Sequence, residues 1–282
     1  DTVLSRGLGD VYKRQMNLVP LLFLISLFPA ALVAQWKIED QVSGPSTNSQ
    51  IHFERKVISR PGASGLFSSR RINLVWFNQA DFTFKIIDNG AGGSTTYASL
   101  ADAMKAHDCI AGSNGGFFLK DFAPSGLMIA EGITTGAFGT GGLLSGVLLS
   151  SNNRNPYILR RTEYSASNYK PTDLVQSGPF LVDQGVTVKG LSVENARRRT
   201  FVLHDGGKIF ALGLSDSFTL AELGEILSDP NFSPGRKIHR ALNLDGGTSS
   251  GFYVDRGSSA SPVIVEPFKR VRNFIGVVPR NP

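Results

Sequence analysis

Four short segments place residues that could do chemistry at the end of an apolar run. They are Ser113-Asn114-Gly115-Gly116, Ser177-Gly178-Pro179, Arg199-Thr200 and Asn243-Leu244-Asp245-Gly246-Gly247-Thr248-Ser249-Ser250. Glycine pairs let backbone approach a ligand closely and can turn consecutive N–H groups toward an anion. An Asn or Asp just before them projects its side chain into the same space. The alternative for any one segment is a plain hairpin turn, the reading that fits Asp205-Gly206-Gly207.

Familiar catalytic machinery is excluded. Gly247-Thr248-Ser249-Ser250-Gly251 has the G-x-S-x-G spacing of a nucleophile elbow, but His52, His107, His204 and His239 all precede Ser249. An α/β-hydrolase needs its histidine after the nucleophile. The chain has no H-E-x-x-H, no C-x-x-C and no G-x-x-x-x-G-K-[ST] motif. Gly90-Ala91-Gly92 and Gly139-Thr140-Gly141 lack the third glycine of a dinucleotide fingerprint.

Taken in order, the segments resemble the phosphodiester glycosidase family, from about Cys109 to Val278. The resemblance takes in Asn114-Gly115-Gly116-Phe117-Phe118, Pro124-Ser125-Gly126-Leu127-Met128-Ile129, Ser177-Gly178-Pro179 and Arg199-Thr200. It continues through the helix at Thr219 and Asn243-Leu244-Asp245-Gly246-Gly247 to Val271-Arg272-Asn273-Phe274-Ile275-Gly276. Thr248, where the family usually has glycine, and Lys269, where it often has arginine, depart from the pattern.

The resemblance implies a hydrolase that takes an anionic sugar-1-phosphodiester, such as one of N-acetylglucosamine, and releases free sugar and a phosphomonoester. Phosphate is a good leaving group, so the sugar C1–O bond needs little protonation to break. On this reading Arg199 clamps phosphate with its planar fork, and Asp245 is the base or nucleophile. Asn114 and Asn243 orient phosphate or sugar hydroxyls, helped by N–H groups of Gly115, Gly116, Gly246 and Gly247. Ser177, Gly178, Thr200, Ser249 and Ser250 complete the binding set.

Each role has a plainer alternative. Arg199 could belong to a solvated run with Arg197 and Arg198, Asp245 could cap a turn, and Ser249 and Ser250 could be turn hydroxyls. Two rival classes stand beside the glycosidase: a phosphodiesterase cutting P–O, and a non-catalytic module binding anionic glycans. No cofactor is implied. One carboxylate is too few to argue a divalent cation.

The elements that must hold these residues are mostly strands. Alternation begins at Ile51 and recurs over Ile72–Phe77 and Phe82–Ile87. Short apolar runs broken by glycine fill Phe117–Leu149, and Val202–Leu214 reads as a hairpin turning at Asp205-Gly206-Gly207-Lys208. Ala241–Leu244 and Phe274–Val278 read as core strands, and Cys109 as a buried strand residue. Tyr97–His107 has helical composition. The clearest helix runs from Thr219 to about Ser228, with Thr219 and Glu222 as a capping box and Pro230 as its stop. The expected class is α+β, a single domain over 51–282 built on a strand-rich mixed sheet with few helices.

The 282 residues carry 41% hydrophobic and 18% charged side chains, too apolar for a disordered chain. The net charge of +6 suits an anionic ligand, and no basic block of nucleic-acid-binding size stands out. Leu18–Ala34 reads as the apolar core and cleavage site of a signal peptide spanning 16–34, with an uncleaved anchor as the alternative. Residues 1–15 read as spurious translation, and 35–50 as a polar leader. The single cysteine, Cys109, cannot be a lipid-attachment site at the cleavage point. The expected product is therefore periplasmic or extracellular, without stable membrane insertion.

Overall fold

The computed structural model describes residues 36–45, 51–60, 69–90, 94–151, 154–257 and 260–280. The expected signal peptide and the segment before it lie outside these residues.

The strands form three sheets. The largest runs β1 (Lys37–Pro45), β2 (Ile51–Ser59), β3 (Ser69–Asn78), β14 (Ile209–Phe218), β13 (Arg197–His204), β15 (Arg240–Asn243), β11 (Phe180–Asp183), β12 (Val186–Thr187). A second runs β7 (Ile133–Thr135), β6 (Met128–Ala130), β10 (Asp173–Ser177), β8 (Gly146–Ser151), β9 (Arg154–Arg160). The third runs β17 (Val263–Val265), β16 (Phe252–Val254), β5 (Ala111–Asn114), β18 (Asn273–Pro279), β4 (Phe82–Asp88). Helices are few: α1 (Leu100–Ala106), α2 (Ala166–Tyr169) and α3 (Leu220–Ser228), with short 3-10 turns.

The expected strand-rich chain with few helices is observed, but not the mixed sheet. Neighbouring strands pair antiparallel throughout the described residues. Parallel neighbours need a long crossover, usually a helix, and this chain has few helices to supply one.

Period-two alternation gives the large sheet two apolar faces. Phe53, Phe77, Val202, Leu212 and Leu242 join Phe84, Ala111, Ile275, Leu148 and Val175 of the smaller sheets in one core. Ile72, Trp76, Phe201, Leu203 and Ala241 pack on the other face with Leu223, Ile226 and Leu227 of α3. The α3 start is the expected capping box: Glu222 N–H donates to Thr219 Oγ1 at 3.1 Å, and Thr219 N–H to Glu222 Oε2 at 3.0 Å. The β13–β14 turn is held by Asp205 Oδ1, which accepts from Gly207 N–H at 2.7 Å.

Two expectations are corrected. Much of the polar leader is a strand, since β1 pairs with β2 from Lys37↔Ser59 to Pro45↔His52. A backbone ladder at a sheet edge needs no apolar alternation, and polar side chains suit an edge. Trp36 is buried against Phe218, and buried Lys56 of β2 donates to Asp40 of β1 at 2.6 Å. Cys109 is buried but lies in the turn before β5, and burial pushes its thiol pKa up to about 12.

Candidate active site

The last residue of β5 ties three strands together. Asn114 is fully buried, and its Nδ2 donates to the Asp245 carbonyl at 2.6 Å. Its Oδ1 accepts from Thr200 Oγ1 at 2.7 Å and from Gly251 N–H at 3.0 Å. Leu244 N–H donates to the Thr200 carbonyl, and Asp245 N–H to the Gly115 carbonyl. Segments distant in the sequence thus meet where the ends of β5 and β15 reach Thr200 within β13. Asn114 has its polar atoms committed to protein, so it positions the Asp245 loop rather than presenting a free amide.

Asp245 follows β15 and leads into a 3-10 turn, Gly247–Ser249. One carboxylate oxygen accepts from Gly246 N–H at 2.9 Å. Burial pushes the Asp245 pKa up, while the Ser249 hydroxyl, the Lys269 charge and the Gly246 N–H pull it the other way. Gly246 passes so close to β13 that an added Cβ would lie 2.9 Å from the Arg198 carbonyl. Gly247 has φ +63°, the left-handed region that glycine tolerates.

Beside this turn several buried polar atoms have no hydrogen-bond partner among the described residues. Asn243 is held through Nδ2, which donates to the Gly178 and Leu244 carbonyls at 2.8 and 2.7 Å. That leaves its Oδ1 unpartnered, as are the hydroxyls of Ser177 and Ser250. Ser177 precedes the cis Gly178–Pro179 peptide, and the Pro179 carbonyl accepts from Asn243 N–H. Such atoms are costly in a dry core and useful where a polar ligand completes them.

The first glycine pair does something other than expected. Gly115 N–H donates to the Asn273 carbonyl at 3.0 Å, and Gly116 N–H to Asn273 Oδ1 at 2.9 Å. These N–H groups are therefore not available to an anion. Their lack of a side chain serves close approach: a Cβ on Gly115 would sit 1.9 Å from Asn273 Oδ1, and one on Gly116 2.5 Å from Val175.

The arginines divide by strand alternation. Arg199 runs its stem past Gly246, and its guanidinium donates to the Phe218 and Asn195 carbonyls at 3.1 and 2.9 Å. Burial and the Arg197 charge lower its pKa. Arg198, one residue earlier, donates to the Ser250 carbonyl at 2.8 Å and stacks on the Phe268 ring at 4.5 Å. Lys269 lies over Phe118 at 4.9 Å and is the cation whose charge acts on Asp245. Sequence reasoning gave no site role to Arg198, Lys269 or Asn273. Their signals were the arginine run and the closing motif that contains Asn273. Among the described residues, no three His, Cys, Asp or Glu side chains cluster as a metal would require.

The comparisons agree with this architecture. The structure is similar to the zebrafish N-acetylglucosamine-1-phosphodiester alpha-N-acetylglucosaminidase catalytic domain auto-inhibited by its pro-peptide, at TM-score 0.57 and 15% identity over 86% of this chain and 87% of that one. A Burkholderia pseudomallei protein matches at TM-score 0.56 and 10% identity, over 87% of this chain and 97% of its own. A hypothetical Synechocystis protein matches at TM-score 0.51 and 16% identity, over 86% and 68%. At these identities the likeness is one of fold. No curated protein sequence matches the chain. The sequence profile of the family described as Phosphodiester glycosidase matches residues 107–278, which include β5, β13, β15 and the Asp245 turn. The chain belongs to the phosphodiester glycosidase family.

Proposed function

We propose that this protein hydrolyses the glycosidic bond of a sugar-1-phosphodiester, with N-acetylglucosamine as the sugar named in its zebrafish structural relative. The observation that carries the reading is a half-buried carboxylate, Asp245, under the charge of Lys269 and on a turn packed against Arg198 and Arg199 of β13. Burial that raises a carboxylate's pKa makes it a stronger base, suited to take a proton from water.

In the proposed step a water oxygen bonds to the sugar C1 as the C1–O bond to phosphate breaks. The bonding pair leaves with the phosphate oxygen, and Asp245 accepts the water proton. Phosphate needs little acid assistance, so the cations' task is to hold its charge. On this reading the open acceptor of Asn243 and the hydroxyls of Ser177 and Ser250, each without a partner in the protein, bond sugar hydroxyls.

The test is a panel of sugar-1-phosphodiesters incubated with purified protein, following free sugar and phosphomonoester together. Equal release of both supports the reading. No release from any member of the panel would refute it.

A further inference from the structure

We infer that the mouth of this site is a docking face for an anionic lipid bilayer. Three loops in contact with residues around the site each expose a large apolar side chain. Leu119, 53% exposed, follows Phe118, whose ring lies 4.9 Å from Lys269 Nζ. Leu143, 59% exposed, belongs to the turn whose carbonyl abuts Gly178. Phe268, 78% exposed, has its N–H bonded to the Thr248 carbonyl at 2.8 Å and its ring under Arg198.

Single exposed apolar residues need no explanation. Three on loops around one polar site do, because protruding apolar groups ringed by basic residues match the headgroup–acyl boundary of a membrane.

Charge selects the occupant. Lys120, Arg197 and Lys269 are exposed on the same loops and strand end. The carboxylates of the two loops that carry them are turned to backbone N–H groups. Asp121 accepts from Ala123, and Glu266 from Leu100 and Ala101 at the start of α1. Basic residues at a lipid surface favour anionic headgroups. Among the described residues no helix is long and apolar enough to cross a membrane, and the docking inferred is peripheral. It deepens the proposed reaction, on which its meaning rests: a mouth seated on lipid takes sugar phosphodiesters presented at the headgroup level.

Co-sedimentation of the mature protein, beginning near Gln35, with vesicles tests this, without any substrate present. The protein is expected to sediment with vesicles of phosphatidylcholine and phosphatidylglycerol and to stay in solution with phosphatidylcholine alone. The Leu119→Asp/Leu143→Asp variant is expected to partition at least about tenfold less, from the apolar area it withdraws and the two negative charges it sets against the anionic headgroups, with thermal unfolding near that of the unmodified chain. Should the double variant not fold, Leu119→Asp alone carries the same test. No binding of the unmodified chain to anionic vesicles would overturn the inference, and so would undiminished binding of a folded variant. Failure to hydrolyse soluble phosphodiesters would refute the proposed reaction and leave the vesicle result standing.

Discussion

Asp245 sets stability against function. Burial raises its pKa, so the folded state favours the protonated acid. That contribution is full below the ordinary carboxylate range and is lost as pH rises through the folded value. Asp245→Asn keeps the shape and removes the ionisable group. It is expected to raise the thermal midpoint at neutral pH, with the gain shrinking as pH falls into the acid range. The same variant should lose at least about a hundredfold in turnover while binding substrate nearly as well. Retained activity would reduce Asp245 to a turn residue. Asn114 belongs to a different class. Asn114→Ala strands the Thr200 hydroxyl and Gly251 N–H in the interior. It should cost on the order of 3 kcal/mol by urea unfolding. The turn of Asn243, Asp245 and their glycines was legible because its residue types sit together in a short motif. The choice among Arg197, Arg198 and Arg199 was not. It depends on the phase of β13, and a register irregularity between Arg197 and Arg199 shifts that phase where the sequence shows only three equal charges.

At the scale of elements, α3 and the β13–β14 hairpin were readable because their ends are specified locally. A capping box and an Asp-Gly-Gly turn act within four residues. Thr219→Ala should therefore cost about 1 kcal/mol, read as a lower urea midpoint with an unchanged slope. Glu222 also bonds Arg70 of β3, so Glu222→Ala should cost more than the cap alone. Strand β1 was illegible for the opposite reason. Its pairing is decided by the unpaired edge of β2 and by Lys56 seeking Asp40, neither of which leaves a pattern in Lys37–Pro45. The glycine pair at Gly115 and Gly116 was visible as a motif, but its cause is the approach of Asn273 and Val175 from distant strands.

Across the whole molecule, the apolar run Leu18–Ala34 leads to the expectation of export, with cleavage near Ala34 leaving Trp36 to seat in the core. N-terminal sequencing of the native protein should begin near Gln35, and a chain that retains Met16 would contradict export by cleavage. The three-sheet architecture could not be inferred from alternation, since period-two patterning marks strands without saying which pair. What that architecture achieves is convergence: the ends of β5 and β15 meet β13 at Thr200, bringing Asn114, Thr200 and Asp245 together. If that convergence is a glycosidase site, the bond it breaks lies between the sugar C1 and the phosphate oxygen. Hydrolysis in water enriched in heavy oxygen measures this directly. The label is predicted in the released sugar, with the phosphomonoester unlabelled, and label in the phosphate would contradict the account by showing P–O cleavage.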